Sequence, residues 1–327
     1  MQRVLIVAFD GAVALDIFGP AEVFTAASNH TDRAAYRVEV VTPGGGTTRT
    51  STSVPIVARD AFAVRPRPGD TILVAGGQEE SILAAMANQE LLAWIRRAAR
   101  VAGRVASVCS GAFLLAAAGL LDGRRATTHW RGCERLGRMF PRVSVDANAI
   151  FVSDGPIWTS AGVTTGIDMA LAMVEKDHGR AVADAIAAGL VLYARRPGFQ
   201  SQWSEALVSQ MEDSSPLGAA VAWIRTHLRE ASVDTLARAS ALSVRTLHRR
   251  CHEHLALTPR RLIEKVRVEQ ARTLLVTTRE SAKTLATRCG FGTAANMKRA
   301  FERELGVAPA EYRLLHAREE PRRRIAS

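Results

Sequence analysis

At 327 residues, with 47% apolar and 23% charged side chains, the chain has a globular composition and length enough for two domains. Its formal charge of +11 is unevenly placed: residues 1–198 hold 21 Lys and Arg against 18 Asp and Glu, and residues 199–327 hold 22 against 14. A basic C-terminal block points to a polyanionic partner, a solvated basic surface being the plainer alternative. Cys109, Cys133, Cys251 and Cys289 are scattered, which excludes a disulfide framework and a zinc pattern and suits a reducing cytosol. Met1-Gln2-Arg3 runs straight into an apolar stretch, leaving no room for a signal peptide. The apolar run at 112–121 is about half the ~20 residues a membrane span requires, so the expectation is a cytoplasmic protein with no membrane partner.

In chain order, residues 4–9, 38–42, 71–75 and 105–108 are apolar or β-branched runs of the kind that strands buried on both faces show. Residues 82–87, 90–101 and 112–121 read as helices, and a strand at 157–160 precedes a helix at 166–178. Strand and helix alternation predicts an α/β sandwich, a parallel sheet covered by helices on both faces. Arg195-Arg196-Pro197-Gly198 ends this pattern, and the polar, serine-rich stretch after it reads as a linker. Beyond it everything reads as helix. The expected division is an α/β domain at 1–198, a linker at 199–215, an all-α domain at 216–316 and a basic tail at 317–327.

The all-α part repeats itself. Thr235-Leu236-Ala237 recurs as Thr284-Leu285-Ala286 and Leu242 as Phe291, at an offset of 49. After one inserted residue Leu247 matches Met297, Arg249 matches Arg299, Cys251 matches Phe301, and Thr258-Pro259 matches Ala308-Pro309. Each copy has the layout of a helix-turn-helix, with a small alanine on the first helix and a turn of small residues. Gly290 in the second turn suits a left-handed backbone. Ser243 and Thr293 are expected N-caps of the second helices.

The outward positions of those second helices are the expected DNA contacts: Arg245, Thr246, His248, Arg249 and His252 in the first copy. In the second they are Thr293, Ala295, Asn296, Lys298, Arg299 and Arg303. Arg can bond guanine bidentately and Asn adenine, Thr and Ala can meet the thymine methyl, and the remaining cations meet phosphate. A plain helical bundle with a basic face is the alternative, and the matched duplication argues against it. Residues 259–276 read as one long helix able to hold both second helices on one side of a duplex.

Residues 216–316 resemble the AraC-type DNA-binding domain. The resemblance rests on Thr287-Arg288-Cys289-Gly290-Phe291-Gly292, on Phe301, and on Leu305-Gly306-Val307-Ala308-Pro309-Ala310-Glu311-Tyr312-Arg313. It implies a double helix-turn-helix that binds double-stranded DNA. Here the second reading helix opens Thr-Ala-Ala-Asn, with small residues where many members carry larger polar ones.

In the first part, Cys109 falls between the strand at 105–108 and a helix beginning near Gly111, the arrangement of a nucleophile elbow. A helix N-terminus favours thiolate. Cys109 is read as a ligand contact or a reactive thiol, with a space-filling buried cysteine as the alternative. Residues 1–196 resemble the class I glutamine amidotransferase-like fold of the PfpI superfamily, in the form fused to AraC-type domains. The match rests on residues 15–24 (Leu-Asp-Ile-Phe-Gly-Pro-Ala-Glu-Val-Phe), Ala75-Gly76-Gly77, residues 106–112 (Ala-Ser-Val-Cys-Ser-Gly-Ala), residues 126–130 (Ala-Thr-Thr-His-Trp) and residues 159–168 (Thr-Ser-Ala-Gly-Val-Thr-Thr-Gly-Ile-Asp). It implies that an acid at or near Asp16 or Glu22 faces the cysteine, and that amides near Gly76, Gly77 and Ser110 form an anion-holding nest. His129 and Trp130 would belong to a sensing pocket, although a structural stack is an equal reading.

Two departures count against catalysis. Ser110 stands where protease-like members carry His, and no His or Glu follows between 181 and 198, where an amidotransferase triad would need them. The reading is a sequence-specific transcription regulator answering to a small-molecule effector held by Asp16, Gly76, Gly77, Cys109, Ser110, His129 and Trp130. The rival is a cysteine-dependent hydratase or hydrolase with an attached DNA-binding domain, in which Cys109 and Asp16 would be catalytic. No cofactor or metal is expected, and a homodimer is left open.

Overall fold

Strands built from runs such as Val4-Leu5-Ile6-Val7 have no polar face, so each must be covered on both sides. The computed structural model describes the chain except residues 32–34, 193–194, 197, 199–201, 203–215, 256, 306 and 317–327. Most of the expected linker and all of the expected tail lie outside the described residues. The chain divides into two units, Met1–Gln202 and Trp203–Ser327.

In the first unit the strands are β1 (Gln2–Val7), β2 (Tyr36–Thr42), β3 (Gly46–Arg49), β4 (Pro55–Asp60), β5 (Thr71–Val74), β6 (Arg104–Val108), β7 (Arg125–Ala126), β8 (Ser144–Val145), β9 (Phe151–Asp154) and β10 (Ile157–Ser160). Eight of them form one sheet in the order β3-β4-β2-β1-β5-β6-β10-β9, parallel except for the two edge strands, and β7 with β8 forms a separate pair. The helices are α1 (Ala14–Ala27), α2 (Glu79–Ala87), α3 (Gln89–Ala99), α4 (Gly111–Ala117), α5 (Cys133–Met139), α6 (Thr165–His178) and α7 (Arg180–Gly189). α1, α6 and α7 pack on one another, as do α2, α3 and α4, giving the two layers that cover the sheet.

The expected sandwich is present; α1 was not among the expected helices, and one expected helix is shorter. α1 carries no clear apolar stripe because it is buried on several sides, from Asp16 and Ile17 to Val23 and Phe24. The helix expected at 112–121 stops at Ala117, since Gly119 takes a left-handed backbone at φ +75° that ends it despite the apolar Leu120-Leu121. The sheet order reverses direction between β1 and β5, the switch point at whose carboxyl ends sheets of this kind carry their ligand crevice. Asp16, Gly76, Cys109 and Gly162 follow β1, β5, β6 and β10 at that edge.

The second unit is helical among the described residues: α8 (Pro216–Thr226), α9 (Val233–Ala239), α10 (Val244–Leu255), α11 (Pro259–Thr277), α12 (Ala282–Arg288), α13 (Ala294–Leu305) and α14 (Pro309–His316). α9–α10 and α12–α13 are the two helix-turn-helix copies, and α11 joins them. Both expected caps form: Ser243 Oγ accepts from Thr246 N at 3.1 Å and Thr293 Oγ1 from Asn296 N at 3.1 Å. Thr258 caps α11, whose first helical residue is Pro259, a position where proline loses no hydrogen bond. Leu236, Leu247, Cys251, Leu262 and Val266 form the core of the first copy, and Leu285, Met297, Phe301 and Leu305 are buried in the second.

Candidate functional site

Cys109 has a left-handed backbone, φ 56°, as a nucleophile elbow requires of a residue that would otherwise avoid it. Its N–H donates to Ser160 O at 3.0 Å, and its carbonyl accepts from Thr128 Oγ1 at 2.7 Å, so the turn is pinned from both sides. Glycines wall the thiol. A Cβ at Gly162 would lie 2.5 Å from Cys109 Cβ, and one at Gly76 would lie 2.7 Å from the same atom. Of the two acids the resemblance offered, Asp16 is the one at the elbow. Glu22 points outward from α1.

Asp16 is fully buried. Its Oδ2 accepts from Gly76 N at 3.1 Å and its Oδ1 from Val163 N at 2.9 Å. Burial pushes this carboxyl up to about 6, against the pull of the two amides. The expected thiolate is not what the geometry favours. Burial first, and the Asp16 carboxylate second, push the Cys109 thiol up to about 12, outweighing the bonds from Ser110. Iodoacetamide labelling of Cys109, followed by peptide mass spectrometry, should therefore barely proceed at pH 7 and accelerate as the solution is made alkaline. Rapid labelling at neutral pH would contradict this placement.

The expected anion nest is also occupied from within. Gly76 N is spent on Asp16, while Gly77 N donates to Ser110 Oγ at 2.9 Å and Ser110 Oγ donates back to Gly77 O at 2.7 Å. The His129 and Trp130 rings lie 5.5 Å apart and tilted 33° to each other, and the Arg131 guanidinium lies 4.9 Å over the indole. His129 Nδ1 accepts from Arg131 N at 3.4 Å, and burial followed by the Arg131 charge lowers its pKa. The residue of this segment that touches the elbow is Thr128, which sequence reasoning passed over. Gln202, inside the expected linker, is docked behind it, with Nε2 donating to Thr127 Oγ1, Thr128 O and Ala149 O.

Beside Gly77, across Phe9 and Ser81, lies a cavity of about 330 Å³ lined by Phe9, Asp10, Thr42, Ser81, Asn88 and Leu91 among others. It sits at the carboxyl ends of β1 and β2. Its residues come from three separate stretches, 9–10, 42–48 and 81–91, so no motif announced them. The position of Asp10 and Thr42 just at strand ends was the one available signal.

In the second unit, Arg245, His248, Arg249 and His252 of α10 are exposed, as are Lys298 and Arg299 of α13. Thr293, Asn296 and Arg303 are exposed as well, but they and the half-buried Thr246 are engaged within the domain, as is Arg299. Thr246 Oγ1 is 2.9 Å from Ser243 Oγ, and Thr293 Oγ1 is the cap of α13. Asn296 Nδ2 donates to Phe291 O at 3.0 Å, and its Oδ1 accepts from Arg299 at 2.6 Å. Arg303 Nε donates to Glu264 of α11 at 3.0 Å. These pairings tie the second reading helix to its own turn and to the joining helix.

Residues 2–176 match the DJ-1/PfpI family, and residues 236–314 match a helix-turn-helix domain. The chain belongs to the DJ-1/PfpI family. Carrying an AraC-type domain after its DJ-1/PfpI part, it is a transcription regulator. It is similar to the HTH-type transcriptional regulator CdhR of Pseudomonas aeruginosa, 29% identical over 280 residues that cover 85% of this chain and 82% of that one. The HTH-type transcriptional regulator Rv1931c of Mycobacterium tuberculosis is 31% identical over 265 residues, covering 75% of this chain and 95% of its own. A solved ThiJ/PfpI family protein from Pseudomonas syringae aligns with a TM-score of 0.54 and 26% identity, over 73% of this chain and 89% of that one. Among the described residues no helix is long and apolar enough to cross a membrane, and no acid, His and Cys group is placed to hold a metal.

Proposed function

We propose that this DJ-1/PfpI regulator reads double-stranded DNA through α10 and α13 and answers to a small metabolite held at the carboxyl edge of its sheet, beside Cys109. The observation that carries the DNA half is the outward row of Arg245, His248, Arg249 and His252 on one second helix and of Lys298 and Arg299 on the other. The exposed pairs Arg249–Glu253 and Lys298–Glu302, at 3.9 and 3.6 Å, are weak enough to give way to phosphate. The effector half draws on the crevice where the strand order reverses and on the cavity adjoining Gly77, whose size suits a metabolite.

The first unit acts in this reading as a sensor and not as a catalyst. A protonated thiol is a poor nucleophile, and the amides of Gly76 and Gly77 are already donated to Asp16 and Ser110. The same reading places the protein in the cytoplasm, where it meets DNA.

Footprinting on the DNA upstream of its own gene tests the proposal. Affinity should fall log-linearly as salt rises, because binding releases counterions from phosphate. Arg249→Ala and Arg299→Ala should each cost about 1–3 kcal/mol of binding or relax one base position. Absence of salt-sensitive binding would overturn the DNA half. Turnover of any substrate that Cys109→Ser abolishes would overturn the sensor half.

A further inference from the structure

The first unit holds a second cavity, of about 390 Å³, on the face formed by β1, β2, β4 and the turn before β5. Five arginines line it: Arg3, Arg37, Arg59, Arg65 and Arg67. Arg3 and Arg37 are register partners on adjacent parallel strands, so the pleat puts both on one face. Arg59 stands on the next strand out, and Arg65 and Arg67 come from the turn. Among the described residues the one acid lining it is Glu39, and its carboxylate is already shared between Arg37 at 3.0 Å and Arg59 at 2.6 Å. Arg3 is held by Asp70 at 2.6 Å and donates to the carbonyl of Arg65 at 2.8 Å.

Arg65 and Arg67 are different. Both are exposed, and among the described residues their guanidinium groups pair with nothing. Only their backbones are used, the Arg65 carbonyl by Arg3 and the Arg67 N–H by Asp70. A concave surface with this surplus of one sign focuses the field and draws a counter-charge into the cavity. The planar guanidinium fork matches carboxylate and phosphate oxygens bidentately. The pocket is open to solvent on one side, and its volume suits one small metabolite.

We propose that this cavity binds a small multiply charged oxyanion, a di- or tricarboxylate or a phosphorylated metabolite, with Arg65 and Arg67 as its free clamps. It is separate from the crevice at Cys109. Arg3 opens β1, whereas Asp16 and Cys109 stand beyond the carboxyl ends of β1 and β6. An anion bound there stabilises the first unit by mass action and gives the regulator a second input.

Isothermal titration of citrate and of pyrophosphate into the full chain, at ionic strength held constant with sodium chloride, tests this. Three proteins are compared: the unaltered chain, the double variant Arg65→Gln with Arg67→Gln, and the DNA-face double variant Arg249→Ala with Arg299→Ala. Saturable one-to-one binding of either anion is expected in the first and third, weakened about tenfold or more in the second. The Arg65 and Arg67 substitutions break no side-chain pairing seen here, so without anion the melting temperature should not move. Arg67→Gln alone serves as a milder second variant, with a smaller loss. Binding of citrate alone assigns carboxylates, and binding of pyrophosphate alone assigns phosphates. No saturable binding, equal binding in all three proteins, or a loss confined to the DNA-face variant would overturn the proposal.

Discussion

Gly290→Ala is expected to destabilise the second unit by about 3 kcal/mol or more and to abolish specific DNA binding. Gly290 makes the turn of the second helix-turn-helix at φ +79°. A left-handed backbone alone does not forbid alanine, because Ala241 occupies the matching place in the first copy at φ 51°. The obstacle is contact. A Cβ at Gly290 would lie 2.1 Å from Leu228 O, and that carbonyl cannot retreat, since Arg267 Nε and Nη2 both donate to it at 3.0 and 2.8 Å. Gly292, at φ +76° with open space around its missing side chain, is the internal control, and alanine there should cost only about 1–2 kcal/mol. Thermal unfolding of the two variants decides the matter: equal losses would mean that the Leu228 contact carries no weight.

Glu304→Ala should cost about 3–5 kcal/mol and loosen α13 from the joining helix. Glu304 faces inward from α13, its side chain 2% exposed, and it meets Arg261 at 2.6 Å and Lys265 at 2.8 Å, both on α11. Lys265 is itself almost fully buried at 7%. Removing the carboxylate takes a counter-charge from the buried Lys265 ammonium while Arg261 keeps Glu264 at 2.6 Å, and that loss costs more than the ion pair is worth against an apolar replacement. The double variant Lys265→Met with Glu304→Leu should therefore regain much of the lost stability. If the single variant melts like the unaltered protein, the buried pair does not hold the second reading helix in place.

These two sites show where sequence reasoning reached and where it stopped. Gly290 was legible, because a glycine in a duplicated turn signals a left-handed backbone. Its partner Leu228 was not, because the contact spans 62 positions of chain. The second helices of both helix-turn-helix units were legible from the matched pairs Leu247 with Met297 and Cys251 with Phe301. Spacing could not separate the outward residues that stay available from Asn296 and Arg303, whose side chains turn back onto Phe291 O and Glu264. Periodicity tells which face a residue occupies and says nothing of its neighbour's reach.

The first unit divides in the same way. Strand runs, the elbow run Ala-Ser-Val-Cys-Ser-Gly and the duplicated helical unit are local patterns, and local chemistry of propensity, burial and turn geometry is enough to specify them. What raises the Cys109 thiol is non-local, and it outweighs the bonds from the adjacent Ser110. Asp16 reaches it from the first turn of α1, Gly76 from the end of β5, Thr128 from the segment after β7, and Gly162 from the end of β10. Desolvation and charge at one point sum over all neighbours in space, so a thiol that a helix start would favour as thiolate is held protonated once the sheet is assembled. The arginine cavity follows the same rule. Positions 3, 37, 59, 65 and 67 are unremarkable in order along the chain, and only pairing of β1, β2 and β4 brings their charges to one concave face.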